Sequence, residues 1–316
     1  MGLAFEIFEL LLRIFWTYLE SAYRLIIPVP RKKINGEIVL ITGGGGKIGE
    51  CIASELIKED VTIVLWDVSE KAMDRVAGNL RKQGGKVHTY RCDLTSKDEV
   101  YSVAKTVEEE VGHVTILINN AGIMITRNLL KCSDDELAKQ MQVNTVSHFW
   151  TCKAFLPHML EINHGHIVTV ASVAGLFGLH NVVGYCTSKF AAVGFHKALS
   201  LELLANGKTG VKTSCLCPYM VRTPLLGKSS ARFPSMFPLL EPEYVAKEMV
   251  DGMLRDKFMI VLPRSLSAHL LSQMLMPVNA MKLLFHFFRI SIEEETAATM
   301  FQRREQAAAA EEKKSG

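Results

Sequence analysis

Tyr185 and Lys189 stand four residues apart in Tyr185-Cys186-Thr187-Ser188-Lys189, a spacing that puts both side chains on one face if the segment is helical. A free phenol gives up its proton only at about pH 10, too high for a base at neutral pH. A neighbouring ammonium favours the phenolate and draws that value down, toward the range where proton transfer is efficient. The same spacing also arises by chance on solvated helices, so the pair needs company. Upstream, Ser172 closes the strand-like run Ile167-Val168-Thr169-Val170. Its hydroxyl is placed to hold a substrate oxygen beside Tyr185; read alone, it is equally an ordinary loop serine.

A second constellation suits phosphate. Val39-Leu40-Ile41 runs into Thr42-Gly43-Gly44-Gly45-Gly46-Lys47-Ile48-Gly49, and then into the helical stretch Glu50–Lys58. A glycine-rich turn between strand and helix lets backbone N–H groups approach a pyrophosphate, and the helix N-terminus favours its charge. Asp67 closes the next strand, Val64-Leu65-Trp66-Asp67. A carboxylate there accepts from ribose hydroxyls and repels a 2′-phosphate, which selects NAD over NADP. Its plainer role is a helix N-cap.

The elements that must carry these residues alternate. Strands are expected at Ile38-Ile41, Thr62-Trp66, Lys86-Arg91, Val114-Ile118, His166-Val170 and Val211-Leu216, with Phe258-Val261 last. Between them lie amphipathic stretches at Ser69-Gln83, Lys97-Val111, Asp134-Leu160 and Ser188-Ala205. The alternation predicts an α/β fold, a doubly wound, mostly parallel, Rossmann-like sheet whose ligands bind beyond the carboxyl ends of its strands.

Taken in order, the Thr42-to-Gly49 turn, Cys92-Asp93-Leu94, Asn119-Asn120-Ala121-Gly122, Ser172 and Tyr185 with Lys189 resemble the short-chain dehydrogenase/reductase family over roughly residues 36–263. The resemblance implies that Tyr185 is the general acid/base, that Lys189 lowers its pKa and binds the nicotinamide ribose, and that Ser172 orients the substrate. Asn144 would hold a water in the proton relay. Gly43, Lys47, Ile48 and Gly49 would meet the pyrophosphate, Asp93 and Leu94 the adenine. Asn119, Ala121 and Gly122 would line the cofactor floor, and Pro218 and Thr223 would meet the nicotinamide. The family turn carries glycine where this chain has Lys47. That lysine either crowds the pyrophosphate or touches a phosphate directly, and a chain that kept the fold but lost the chemistry would be its extreme consequence. Finer runs, among them Leu65-Trp66-Asp67 and Ser188-Lys189-Phe190-Ala191-Ala192-Val193-Gly194, resemble the membrane-associated branch of retinol dehydrogenases, the epidermal type foremost, and lipid-droplet 17β-hydroxysteroid dehydrogenases. That branch implies a retinoid or, next, a hydroxysteroid or other lipid alcohol, with homodimerisation as a family expectation.

Composition narrows the rest. The chain has 316 residues, 48% of them hydrophobic and 22% charged, with a net charge of +3. It can build a core, and it is no polycation for nucleic acid. Seven cysteines without a CxxC pair offer neither a disulfide framework nor a zinc site. His164 and His166 flank a glycine with no further ligand nearby, so a hydrogen-bonded turn is expected there rather than a metal. A mean hydropathy of +0.16 reflects the two ends. In residues 1–33, Glu6, Glu9, Arg13, Glu20 and Arg24, with Thr17, fall within an arc of roughly 80° at about 100° per residue, the remainder of the circumference being apolar. Charges are costly at a bilayer centre, so this stripe suits a helix lying in a lipid interface, ended by Pro28 and Pro30 and followed by the cations Arg31-Lys32-Lys33. The alternative is a helix packed on another protein. A secretory signal fits poorly, for want of a basic start and a cleavage site. The expected organisation is this helix, a nucleotide-binding domain at 36–263, a greasy extension at 264–290 that serves as substrate-entrance cap, membrane contact or core packing, and a polar tail at 291–316. The expected place is the endoplasmic reticulum membrane or a lipid droplet, with the catalytic domain in the cytosol.

Overall fold

The computed structural model describes residues 2–230, 232–233, 238–266 and 276–295, with single positions 299, 303 and 306. The chain divides into two compact units, Met1–Lys33 and Ile34–Gly316. The first is helix α1 (Leu3–Ile26), which gives way to extended backbone at Ile27, just before Pro28. Its polar stripe is self-paired, Arg13 with Glu9 at 2.5 Å and Arg24 with Glu20 at 3.3 Å, the one-turn spacing that favours ion pairs on a helix. Its large apolar side chains, such as Phe8 and Trp16, are exposed. No helix among the described residues is long and apolar enough to cross a membrane.

The second unit is built on seven parallel strands in the order β3-β2-β1-β4-β5-β6-β8. These are β1 (Ile38–Thr42), β2 (Thr62–Asp67), β3 (Lys86–Arg91), β4 (Ile116–Asn119), β5 (Gly165–Val170), β6 (Val211–Pro218) and β8 (Met259–Leu262). Central strands read as continuous apolar runs because both sheet faces are covered. Alternate residues then serve different cores: Val39 and Ile41 pack with Leu56, Met73 and Met249, whereas Leu40 packs with Trp66, Phe155 and Met159. β1 has β2 on one side and β4 on the other. Strand order reverses between β1 and β4, which opens the crevice where a ligand binds in such sheets.

The helices α2 (Lys47–Leu56), α3 (Glu70–Lys82), α4 (Lys97–Glu110), α5 (Asp134–Met141), α6 (Ser147–Glu161), α7 (Val183–Ala205) and α8 (Pro242–Leu254) cover that sheet. Ser69, Ser96 and Ser133 each accept from a first-turn backbone N–H, so serine caps fix three of the helix starts. The single helix expected at Asp134-Leu160 is two, joined by a π turn at Gln142–Val146. α7 begins at Val183, before Tyr185, not at Ser188. α8, with proline in its first turn, was not foreseen.

Beyond the parallel sheet, α9 (Val278–Phe288) leads into β9 (Ser291–Ile292), which pairs antiparallel with β7 (Ser229–Ser230). At the start of the expected polar tail, Glu293 and Glu294 are exposed while Ile292 and Glu295 are buried, and Glu295 pairs with Arg303. Residues 267–275 of the greasy extension and most of the polar tail after Glu295 lie outside the described residues.

Candidate active site

Two clamps hold the glycine turn. Gly43 has φ +65°, and a Cβ there would meet Ala121 Cα at 2.8 Å, so only glycine suits the position. Thr42 Oγ1 accepts from the N–H groups of Asn120 and Ala121, at 3.0 and 3.1 Å. Asn120 Nδ2 in turn donates to the carbonyls of Thr42 and Gly43. A Cβ on Gly49 would lie 2.5 Å from the Gly43 carbonyl. From the other side, Asp67 Oδ2 accepts from Gly45 N at 3.1 Å and Oδ1 from Ser69 N at 3.0 Å. Burial raises the Asp67 pKa against the pull of these backbone donors. α2 starts directly from Gly46 with no side-chain cap. An uncapped helix N-terminus behind a glycine turn, with a carboxylate at the tip of the next strand, fits a dinucleotide.

Lys47 does not distort this turn, for it takes up the first helical position of α2. Its ammonium lies 3.9 Å from Glu50 Oε2 and 3.5 Å from Glu243 Oε1 on α8. Ile48 packs toward the core that holds Leu56, and Leu94 toward that of Trp66. Asp93 Oδ1 accepts from Thr95 N and Oγ1, both at 2.8 Å. Burial pulls the Asp93 pKa up, but these bonds and the charges of Lys139 and Arg91 outweigh it and hold the carboxyl below its usual value.

Asn119, expected on the cofactor floor, turns its side chain inward. It is fully buried, and its Oδ1 accepts from Thr151 Oγ1 at 2.8 Å, so its side chain pins β4 to α6. Asn144 sits in the π turn with its amide engaged: Oδ1 accepts from Ile123 N at 2.8 Å, and Nδ2 donates to Ile123 O and Ser188 Oγ, both at 2.9 Å. Such turns break the helix repeat and recur at functional sites. Gly122 lies where Asn144 and Lys189 converge, since a Cβ there would be 3.5 Å from both Asn144 Oδ1 and Lys189 Nζ.

The reacting groups meet at the carboxyl ends of β5 and β6. Ser172 Oγ donates to Pro218 O at 3.4 Å and accepts from Ala174 N at 3.1 Å. Lys189 Nζ lies 5.7 Å from the centre of the Tyr185 ring and donates to Val170 O at 2.9 Å. Sequence spacing led us to expect a phenol drawn down by this lysine. In this chain burial decides instead, pushing the Tyr185 phenol up to about 12 against the Ser172 hydroxyl, which favours the phenolate. Burial also brings Lys189 down to about 8. Partial burial of Tyr185 and near-complete burial of Lys189 each oppose the charged form. Thr223 lies on the loop after β6, with its Oγ1 donating to Val221 O at 3.4 Å. The two histidines part company, His164 pairing with Glu37 and His166 with Ser214 Oγ; no cluster suited to a metal occurs among the described residues.

Several contributors went unnoticed in the sequence. Thr42, Asn120 and Ser188 stand inside the motifs, and only their contacts distinguish them as part of the site. Ile292 gave no signal at all, yet it packs with Met124, Val182 and Cys186 in the apolar cluster against which Tyr185 and Leu225 lean. Asn181 Nδ2 donates to its carbonyl at 3.0 Å, and Glu294 binds Lys131 and Asn128 N. Segment 291–295 is thereby held beside the apolar cluster that Tyr185 packs against.

Known proteins agree with this architecture. A Burkholderia phymatum short-chain dehydrogenase/reductase in complex with NAD superposes with a TM-score of 0.68 at 27% identity, covering 75% of this chain and 92% of that one. An actinorhodin polyketide ketoreductase variant with NADPH gives 0.66 at 28% identity, covering 72% and 95%. Human 17-beta-hydroxysteroid dehydrogenase 13 is 44% identical over 293 residues, 93% of this chain and 97% of that protein. Mouse estradiol 17-beta-dehydrogenase 11 is 44% identical over 275 residues, 87% and 91% of the two chains. Residues 37–232, more than half of the chain, match the family model described as short chain dehydrogenase. The chain therefore belongs to the short-chain dehydrogenase family and is an NAD(P)-dependent oxidoreductase.

Proposed function

We propose that this protein oxidises a hydrophobic alcohol with NAD at a lipid surface. The observation that carries the reading is the meeting of Ser172, Tyr185 and Lys189 at the ends of β5 and β6, against an apolar wall that includes Ile292. Tyr185, whose phenolate the cationic nicotinamide and the Lys189 ammonium would favour once NAD is bound, takes the hydroxyl proton, Ser172 holds the substrate oxygen, and Lys189 stands behind the ring. NAD supplies the hydride acceptor; Gly43, Gly49, the start of α2 and Asp67 would hold it. Asp67 favours NAD over NADP by repelling a 2′-phosphate.

A secondary alcohol on a steroid-like frame now stands ahead of a retinoid. The relatives that span most of this chain are named 17-beta-hydroxysteroid dehydrogenase 13 and estradiol 17-beta-dehydrogenase 11, and the cluster that Tyr185 packs against is apolar. The exposed apolar circumference of α1, with its narrow paired stripe, supports a helix lying in the lipid interface of the endoplasmic reticulum or a lipid droplet.

Purified protein assayed with estradiol and all-trans-retinol, each with NAD and NADP, tests the reading. Turnover of estradiol with NAD that Tyr185→Phe abolishes is the expected result. A Tyr185→Phe protein as active as its parent would exclude the proton-transfer role. Failure of the wild type to bind NADH would favour a chain that kept the fold without its chemistry.

A further inference from the structure

α9 has the composition of a core helix and the setting of a surface one. Eight of its eleven residues are Val, Ala, Met, Leu or Phe, yet none is buried. α8, only two residues longer, buries eight. Val278 is 61% exposed, Leu283 72%, Phe285 44% and Phe287 50%. At about 100° per residue, Val278 and Phe285 form one edge of the outward arc and Leu283 and Phe287 the other, with Lys282 and His286 between them. Side chains of this kind left in water cost about 1.5–3 kcal/mol each relative to burial, so a run of them marks a surface that meets something apolar.

The charges around the helix indicate what that is. Lys282 lies on α9 and Arg289 directly after it, and Lys228 and Arg232 flank β7, while the acidic residues that follow β9 are turned to other partners, Glu294 to Lys131 and Glu295 to Arg303. Arg232 belongs to the same surface, its guanidinium 5.0 Å from the centre of the Phe287 ring and 5.2 Å from that of Phe233. Arg264 pairs with Glu248, and Phe285 meets His180 edge-on. Exposed aromatic and aliphatic side chains on either side of Lys282, with Arg232 over the Phe287 ring, suit the headgroup boundary of an anionic phospholipid layer.

We infer that α9, with Arg232 and Phe233, is a lipid-docking surface for anionic phospholipid, separate from α1, and that it seats the mouth of the alcohol site on the lipid. The connection is short: only Arg289 and Ile290 separate α9 from β9, where Ile292 packs into the apolar cluster beside Tyr185. An alcohol dissolved in acyl chains then reaches the cleft without crossing bulk water. This inference rests on the lipid-surface reading above, but on different residues.

Full-length protein with Trp16→Phe, alone and combined with Leu283→Trp, is mixed with phosphatidylcholine vesicles carrying brominated chains, with and without phosphatidylserine; pelleting is measured in parallel. The expected result is a blue shift and quenching of the added indole, stronger with phosphatidylserine. Vesicles that pellet the protein but leave the indole at position 283 unquenched overturn the role of α9 while the lipid-surface reading stands. A wild-type chain that pellets with neither vesicle overturns both. An indole that shifts with protein concentration and ignores vesicles shows that α9 faces a second copy, which also overturns the inference. As a functional arm, Leu283→Asp with Phe287→Asp is expected to raise KM for a vesicle-dissolved alcohol roughly tenfold or more and to leave KM for a water-soluble alcohol unchanged.

Discussion

The two sides of the cleft are built by opposite means. On the nucleotide side, short polar bonds between neighbouring strand ends fix the backbone: Thr42 to Asn120 and Ala121, Asn120 to Gly43, and Asp67 to Gly45. On the other side, Tyr185 packs against an apolar cluster of Met124, Val182, Cys186 and Ile292, the last brought from the far end of the chain. Directional bonds specify one ligand shape, whereas apolar packing accepts any hydrophobic body of suitable volume. Nucleotide identity should therefore answer to single polar atoms, and alcohol identity to side-chain volume.

The severest test strikes where the two sides meet. Tyr185→Phe removes one oxygen and keeps the ring in its cluster. Turnover is expected to fall by about 10²–10⁴-fold, with NADH affinity unchanged by fluorescence titration. A parallel loss of affinity would mean that the phenol belongs to the nucleotide side as well. Next in size, Asp67→Ser should swing the NAD/NADP ratio of kcat/KM toward NADP by about one to two orders of magnitude, the equivalent of removing a close charge repulsion. Because Asp67 also accepts from Gly45 N, the same variant should melt lower. A variant that melts lower but keeps its NAD preference would assign Asp67 to the turn alone.

The difference between the sides also explains what the sequence made legible. The glycine turn, Asp67, Ser172 and the Tyr185–Lys189 pair were readable because their chemistry depends on neighbours within one strand-turn-helix unit. The sheet followed from apolar runs of four to eight residues with helices between them. What escaped had no local signature. Nothing about Ile292 announces that it packs beside Tyr185, because more than a hundred residues separate them and only the β7–β9 pairing brings them together. The π turn was invisible because Gln142–Val146 carries the same apolar spacing as the helices on either side. The phenol illustrates a related limit: spacing reveals the ammonium four residues on, but not the burial that raises the Tyr185 pKa in this structure.

On the alcohol side, Ile292→Ala takes volume out of the apolar cluster. It is expected to raise KM for a steroid alcohol by about tenfold and to cost about 2–5 kcal/mol of stability, while leaving the affinity for NADH as it was. A smaller alcohol should lose less. Equal losses for all alcohols would show that Ile292 only holds the fold.

Lys189 offers a gentler measure, through pH. Its folded-state pKa is lowered to about 8 from 10.5, so the cost of burying its charge is fully present below pH 8. Between those values the folded protein releases a proton that the unfolded chain still keeps, and stability contributed by this residue rises with pH. Buried Cys92 and Cys152 act in the opposite sense, their thiols being pushed up to about 12, so the test must be a difference. Urea midpoints of wild type relative to Lys189→Met should climb from pH 8 to pH 10. A flat difference would place the lysine in water rather than beneath the tyrosine.

The smallest effect is expected at the residue that most departs from the family turn. If Lys47 crowded the pyrophosphate, Lys47→Gly would tighten NADH by orders of magnitude; if it gripped a phosphate, the same change would weaken binding as severely. Its ammonium instead lies 3.5 Å from Glu243 and 3.9 Å from Glu50, its backbone is helical, and the turn before it is held by Thr42, Asn120 and Asp67. Part-exposed pairs of this kind are worth about 0–1 kcal/mol, and a glycine at an early helical position costs about 1 kcal/mol or less. Lys47→Gly should therefore change NADH affinity by less than about fivefold and lower the melting temperature slightly. A Glu243→Gln variant that shifts NADH affinity more than Lys47→Gly would show that the lysine turns from α8 to the phosphates when the nucleotide arrives.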